Sequence, residues 1–215
     1  FLTHKIVVIP VMLATGFSMA LVPAITKLYT QRKFDEVRQS MDQTLSILLF
    51  ITVPAVVGIS LLADDIYHLL YSKSEMGAQV LANYAPVAIL FALFSVTAAL
   101  LQGIDYQKWI VSSLIIGVLT KLALNTYLIE LFEVNGAILA TAIGYAVTIT
   151  INFIVIVRVL QYRSAQLLKR IATILALTAA MALSVYGVGL LMDSWLAHDT
   201  KLQAIVHLTV TVCVG

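Results

Sequence analysis

Charged residues divide the chain into long apolar runs: 6–26, 43–63, 79–104, 109–129, 134–157, 171–192, and 202 onward to Gly215. A helix rising 1.5 Å per residue needs about 20 residues to cross roughly 30 Å of hydrocarbon, and most of the runs reach that length. None shows the period-two alternation that a membrane-spanning strand requires. The pattern predicts an all-α integral membrane protein, a polytopic bundle of six complete transmembrane helices plus a truncated seventh. Only the run 109–129 is interrupted by a charge, Lys121. The chain opens at Phe1 with no initiating Met and no basic leader, so it reads as an internal piece of a longer protein.

Composition agrees with lipid as the solvent. Of 215 residues, 61% are hydrophobic and 11% charged, against a soluble norm of roughly 45–50% and 25%. Such a balance excludes a secreted disulfide scaffold, a disordered tail, a nucleic-acid binder and a water-soluble enzyme. The single cysteine, Cys213, allows neither an internal disulfide nor a thiolate metal cluster. A net charge of +2 is too small to call for a polyanionic partner, so the position of the charges carries the information.

Basic residues near helix ends are retained on the cytoplasmic side. The first, third and fifth connectors hold Lys27, Arg32, Lys33 and Arg38, then Lys108, then Arg158, Arg163, Lys169 and Arg170; the others hold only Lys73 and Lys201. That asymmetry puts the connectors 27–43, 105–109 and 158–170 in the cytoplasm. Tyr29, Tyr106, Trp109 and Tyr162 fall at the inner interface, and Tyr67, Tyr71, Tyr84, Tyr127, Phe132 and Trp195 at the outer one. Rings at headgroup level are the expected belt.

Within the first connector, Phe34, Val37 and Met41 recur at helical spacing opposite Arg32, Lys33, Glu36 and Arg38. The stripe predicts a short amphipathic helix lying along the membrane surface, with a plain solvated linker as the alternative. The outer connector 64–77 carries Ile66, Leu69 and Leu70 and reads as a half-buried turn of helix.

Prolines matter inside lipid because each removes a backbone hydrogen bond that no water replaces. Pro54, followed by Gly58, predicts a kink or local opening in the second span, serving either packing or bending between states. Pro23 sits near the cytoplasmic end of the first span and Pro86 in the first turns of the third.

Small and polar residues form stripes. Ser113, Gly117, Lys121 and Asn125 succeed one another at i+4 on the fourth span; Gly136, Ala140, Gly144, Thr148 and Asn152 do so on the fifth. The third span carries Ala92, Ser95, Ala99 and Gln102. The fifth-span stripe reads as a close-packing seam, since small residues let transmembrane helices approach. Lys121 lies roughly 18 Å along the helix from Trp109, beyond easy reach of the inner surface. A charged lysine in lipid costs at least a few kcal/mol, so it either snorkels or pairs within a helix contact, or holds an anionic group in a wet cavity. Asn125, one turn away, is its natural companion; Gln102 on the preceding helix and Ser113 on the same stripe are further cavity-lining candidates. His207 reads as a packed core imidazole.

Signatures of bond chemistry are missing: no G-x-x-x-x-G-K-[ST] loop, no G-x-S-x-G elbow, no H-E-x-x-H, no Cys/His cluster. Asp64 and Asp65 are adjacent at a membrane edge with no basic cradle, so they read as a solvated loop end. No run carries an internal carboxylate for an ion relay, and no metal or cofactor is called for.

Three stretches carry a resemblance: ALVPAITKLYTQRKFDEVRQSMDQTLSILLFITVPAVVGISLLADDIYHLLYS, then YAPVAILFALFSVTAALLQGIDYQK, then NGAILATAIGY. Together with Pro54, Ala55 and Gly58, and with Gly136, Ala137, Ala140 and Thr141, they resemble the second half of a polysaccharide-biosynthesis flippase of the MurJ and stage V sporulation protein B type, in the multidrug/oligosaccharidyl-lipid/polysaccharide exporter superfamily. The resemblance covers residues 1–160 in specific motifs and the remainder in hydropathy only. It implies a fourteen-helix protein of two six-helix lobes plus two extra helices, with the first span here as the eighth helix. Residues 1–160 would then be five helices of the second lobe, and 161–215 the two additional helices, the last truncated.

The resemblance also implies a function. The lobes would rock around a cationic cavity that takes the pyrophosphate-sugar head of lipid II, while the polyprenyl tail stays in the bilayer beside the last two helices. The expected partners are a lipid-linked oligosaccharide, membrane lipids and the N-terminal lobe of the same chain, in a bacterial plasma membrane. The alternatives are a flippase for another lipid-linked polysaccharide unit, a drug or metabolite antiporter of the same superfamily, a non-transporting scaffold and a membrane glycosyltransferase.

Overall fold

Helices Leu2–Thr30 (α1), Phe34–Leu61 (α2), Glu75–Tyr84 (α3), Val87–Gly103 (α4) and Gln107–Leu160 (α5) make up a computed structural model that describes residues 2–64, 66 and 75–161, with single positions 173 and 178. The run 171–192 apart from Thr173 and Thr178, and the run 202 onward with His207 and Cys213, lie outside the described residues, as do Asp65, Lys73, Arg163, Lys169 and Arg170. No strand occurs among the described residues. Three helical stretches there, Phe34–Leu61, Gly77–Gly103 and Gln107–Leu160, are long and apolar enough to cross a membrane.

The 54-residue α5 is not one rod: Glu133 stands at φ 50°, ψ −123°, outside helical space. There the chain reverses, and Gly136 packs so tightly on the Leu128 carbonyl that any Cβ would overlap it. Two antiparallel arms result, 107–132 and 134–160.

At the other end of the bundle, two turns are closed by the same device. After α1, Arg32 adopts φ 59°, its amide donates to the Tyr29 carbonyl (3.0 Å), and the Lys33 amide reaches back to Leu28 (3.0 Å). After α4, Asp105 adopts φ 64°, donating to Gln102 (3.2 Å), and Tyr106 reaches back to Leu101 (2.8 Å). Each is a Schellman cap, which satisfies the last carbonyls of a helix through one left-handed residue. Gln161, at φ 48° and ψ 44°, ends α5 in the same left-handed region. The C-terminal ends of α1, α4 and α5 thus lie together, with Lys27, Arg32, Lys33, Arg38, Lys108 and Arg158 in or beside them, at what we call the basic end.

The central helix is α4, which packs against α1, α2 and α5. Its Ala92, Val96, Leu100 and Leu101 meet Leu21 and Ile25 of α1, Met41, Leu45 and Leu48 of α2, and Ile156 and Leu160 of α5 in one core. Gly103 is required where α4 touches α1, because an added Cβ would sit 2.7 Å from Ile25 Cγ2. At the opposite end α3 is tied twice: Ser60 Oγ donates to the Ala82 carbonyl (3.1 Å), and Asn83 Nδ2 to Asn135 Oδ1 (2.9 Å).

The structure corrects two expectations. The amphipathic connector 27–43 is not a separate surface helix: α1 runs to Thr30 and α2 starts at Phe34 and continues unbroken to Leu61. Its stripe exists, but Val37 and Met41 are fully buried in the protein core rather than in lipid. The third run keeps membrane length over Gly77–Gly103 but is broken at Ala85–Pro86 into α3 and α4, with Pro86, which has no amide to donate, at the N-cap of α4. Pro54 and Gly58 both lie inside the single helix α2.

Candidate functional site

The two polar stripes face each other. Ser113 Oγ donates to Asn152 Oδ1 at 2.6 Å. One turn on, Gly117 lies against Thr148, whose hydroxyl donates to the Gly144 carbonyl (2.9 Å) and lies 3.3 Å from the Ser113 carbonyl. An added Cβ on Gly117 would overlap Thr148 Oγ1, and one on Gly144 would stand 2.9 Å from the Gly117 carbonyl. Each step of four along one arm is matched by a step of four back along the other, so the arms share an antiparallel seam. Ser113 and Asn152 are wholly buried in it. Among the described residues the Asn152 amide nitrogen has no hydrogen-bond partner.

Lys121 is the next residue of the stripe. Its Cβ borders Gly144, at 3.1 Å from where a Cβ there would stand, and the residue is half-buried. Asn125, one turn further, is also half-buried. Among the described residues neither makes a hydrogen bond or ion pair. Fourteen residues separate Lys121 from the start of its arm at Gln107, which puts it about 21 Å from the basic end. At this level Tyr145, beside Gly144, packs its ring against Phe91 (6.0 Å) and Phe94 (5.9 Å) of α4.

The sequence candidates are therefore only partly brought together. Lys121 and Asn125 share a face; Ser113 sits two turns away with its hydroxyl engaged in the seam. Gln102 is exposed at the C-terminal end of α4, at the basic end, about 20 Å in height from Lys121. Sequence reading missed the aromatic group around Tyr145 and the Asn152 partnership, for which the i+4 position of Asn152 was the available signal. A separate open groove of about 410 Å³ runs along the outside of the second arm, lined by Ile149, Thr150, Phe153, Ile154, Val157 and Arg158.

A bundle of long apolar helices with a polar seam and a half-buried lysine above it is a multi-pass α-helical membrane protein. The profile of one family, lipid II flippase MurJ, matches residues 3–205, and the chain belongs to that family. The lipid II flippase MurJ of Bacillus subtilis is 43% identical over 217 residues, covering 99% of this chain and 40% of its own length. A Haloferax volcanii protein named "Probable low-salt glycan biosynthesis flippase Agl15" is 21% identical over 149 residues, 69% of this chain and 32% of its own. Among solved structures, a lipid II flippase MurJ in an inward closed conformation superposes with a TM-score of 0.72 at 17% identity, covering 94% of this chain and 42% of that one, which establishes the shared fold. The chain thus spans about 40% of the length of the B. subtilis relative.

Proposed function

We propose that this chain is second-lobe material of an alternating-access flippase that moves a lipid-linked sugar precursor, lipid II for peptidoglycan, from the inner to the outer leaflet of a bacterial plasma membrane. The likeness to the B. subtilis lipid II flippase along nearly the whole chain carries the reading. No bond is made or broken. A pyrophosphate cannot enter hydrocarbon unaided, so the protein supplies a polar passage for the head while the tail stays in lipid. Exchange between inward-open and outward-open packings of similar free energy then moves the head across.

The exposed faces suit this arrangement. On α1, Gly16, Met19, Ala20, Pro23 and Ala24 form an exposed face of mostly small residues, with open space around Gly16. On the first arm of α5, Leu114, Ile115, Val118, Leu119 and Leu122 expose only aliphatic carbon. Small side chains favour close approach by another helix, whereas long aliphatic ones suit lipid. We assign the α1 face to the N-terminal lobe and the α5 arm to the bilayer. The basic end faces the cytoplasm, residues 161–215 form the two additional helices, and α2 flexes at Pro54 and Gly58.

Lys121 with Asn125 is the proposed anion-holding pair, because a half-buried ammonium without a described partner has its binding capacity free. Ser113 is less suited because its hydroxyl is engaged in the seam, and Gln102 because it lies at the basic end, far below Lys121. The reading is tested by complementation: the full-length parent should restore wall synthesis and growth in cells depleted of their own lipid II flippase, and failure at normal abundance contradicts it.

A further inference from the structure

We propose that Arg38 is a positioning residue whose guanidinium clamps the end of α5 to the start of α2, fixing where the chain leaves for residues 162–215. Its Nε donates to the Leu160 carbonyl at 2.7 Å, across 122 positions of sequence. Its Nη1 donates to Asp35 Oδ1 at 2.8 Å. The contact is placed where it has most effect. The last carbonyls of a helix have no amide partner within it, and the helix dipole puts partial negative charge there. Leu160 supplies such a carbonyl while its own side chain is buried in the main core. Gln161 then turns left-handed, so the clamp lies at the point where α5 ends.

The geometry requires arginine. One planar group donates from Nε to a backbone carbonyl and from Nη1 to a carboxylate in fixed directions, which an ammonium on a flexible stem does not reproduce. Asp35 is 95% exposed, so it does not stabilise by burial; it orients the guanidinium. α2 otherwise has little contact with α5, since α4 lies between them. Releasing Arg38 therefore frees the basic end of the second arm without disturbing the core around α4.

The inference rests on the flippase reading only for its functional consequence, and the experiment separates the two. Hydrogen exchange is followed in the full-length parent in lipid nanodiscs for peptides spanning 154–161 and 134–140. Arg38→Gln should raise exchange at 157–161 about tenfold or more, as loss of a charge-assisted bond implies, and leave 134–140 unchanged. Arg38→Lys should restore part of the protection, and Asp35→Asn should produce a smaller rise than Arg38→Gln. Unchanged exchange at 157–161, or an equal rise along both arms, overturns the clamp. Transport by Arg38→Gln should fall at normal abundance and recover in part with Arg38→Lys; transport at the wild-type level overturns the positioning role. A wild-type parent that moves no lipid II removes the flippase reading instead and leaves the exchange result standing.

Discussion

The Ser113 hydroxyl donates to Asn152 Oδ1 at 2.6 Å inside a wholly buried seam, while Ile110's carbonyl lies within 3.0 Å as a second acceptor for the same proton. The two partners are thus unequal. Without Asn152, Ser113 still has Ile110; without Ser113, both polar groups of Asn152 lie buried and unpaired. Ser113→Ala should therefore cost about 1–3 kcal/mol and Asn152→Leu less, about 1 kcal/mol or under. Thermal unfolding of the full-length parent in detergent checks the order, and the reverse order contradicts this account of the seam.

Glycines on the seam and on the α1 face should behave oppositely. Gly117→Ala forces Thr148 and the second arm outward and should destabilise by about 1–3 kcal/mol. Gly16→Ala meets nothing within 4 Å. It should be neutral, or stabilising by up to about 1 kcal/mol through helix propensity. Gly16→Leu should then leave this lobe folded but impair transport, if the N-terminal lobe packs there; thermal unfolding alongside a transport assay reports the difference.

Left-handed turn residues give a further test. Arg32 carries a Cβ at φ 59°, where glycine is unstrained, so Arg32→Gly should stabilise by about 0.5–1 kcal/mol. Asp105→Gly should gain less, because Asp tolerates that region better. Equal or destabilising effects in denaturation of the full-length protein would argue against the Schellman caps.

Lys121→Gln keeps a polar hydrogen-bonding side chain, one atom shorter, while removing the charge. Transport should fall at least severalfold with insertion and abundance unchanged, and Lys121→Arg should retain part of it. Full activity in Lys121→Gln excludes a role for the charge.

Much of this fold was legible in the sequence because lipid enforces it. Uncharged runs marked the described helices, and the i+4 stripe from Gly136 marked one face of the α5 seam; the stripe from Ser113, read toward a cavity, supplies the other face. The misreadings arise from the ambiguity of an amphipathic stripe: Val37 and Met41 mark a buried face, but periodicity does not tell a protein core from a membrane surface. Pro86 at a helix boundary and Pro54 inside a helix look alike in sequence, since each is a lone proline within an apolar run. Gln102 and Lys121 shared only a polar character, and their difference in height needed the helix ends. Arg38 bonds a backbone carbonyl, a partner that no side-chain pattern reveals.

The most direct test of the central claim is the outer-leaflet accessibility of lipid II in cells where the full-length parent is the sole flippase and can be depleted. The account expects accessible lipid II to fall while the total pool rises. Unchanged accessibility on depletion would contradict it and exclude lipid II as the cargo.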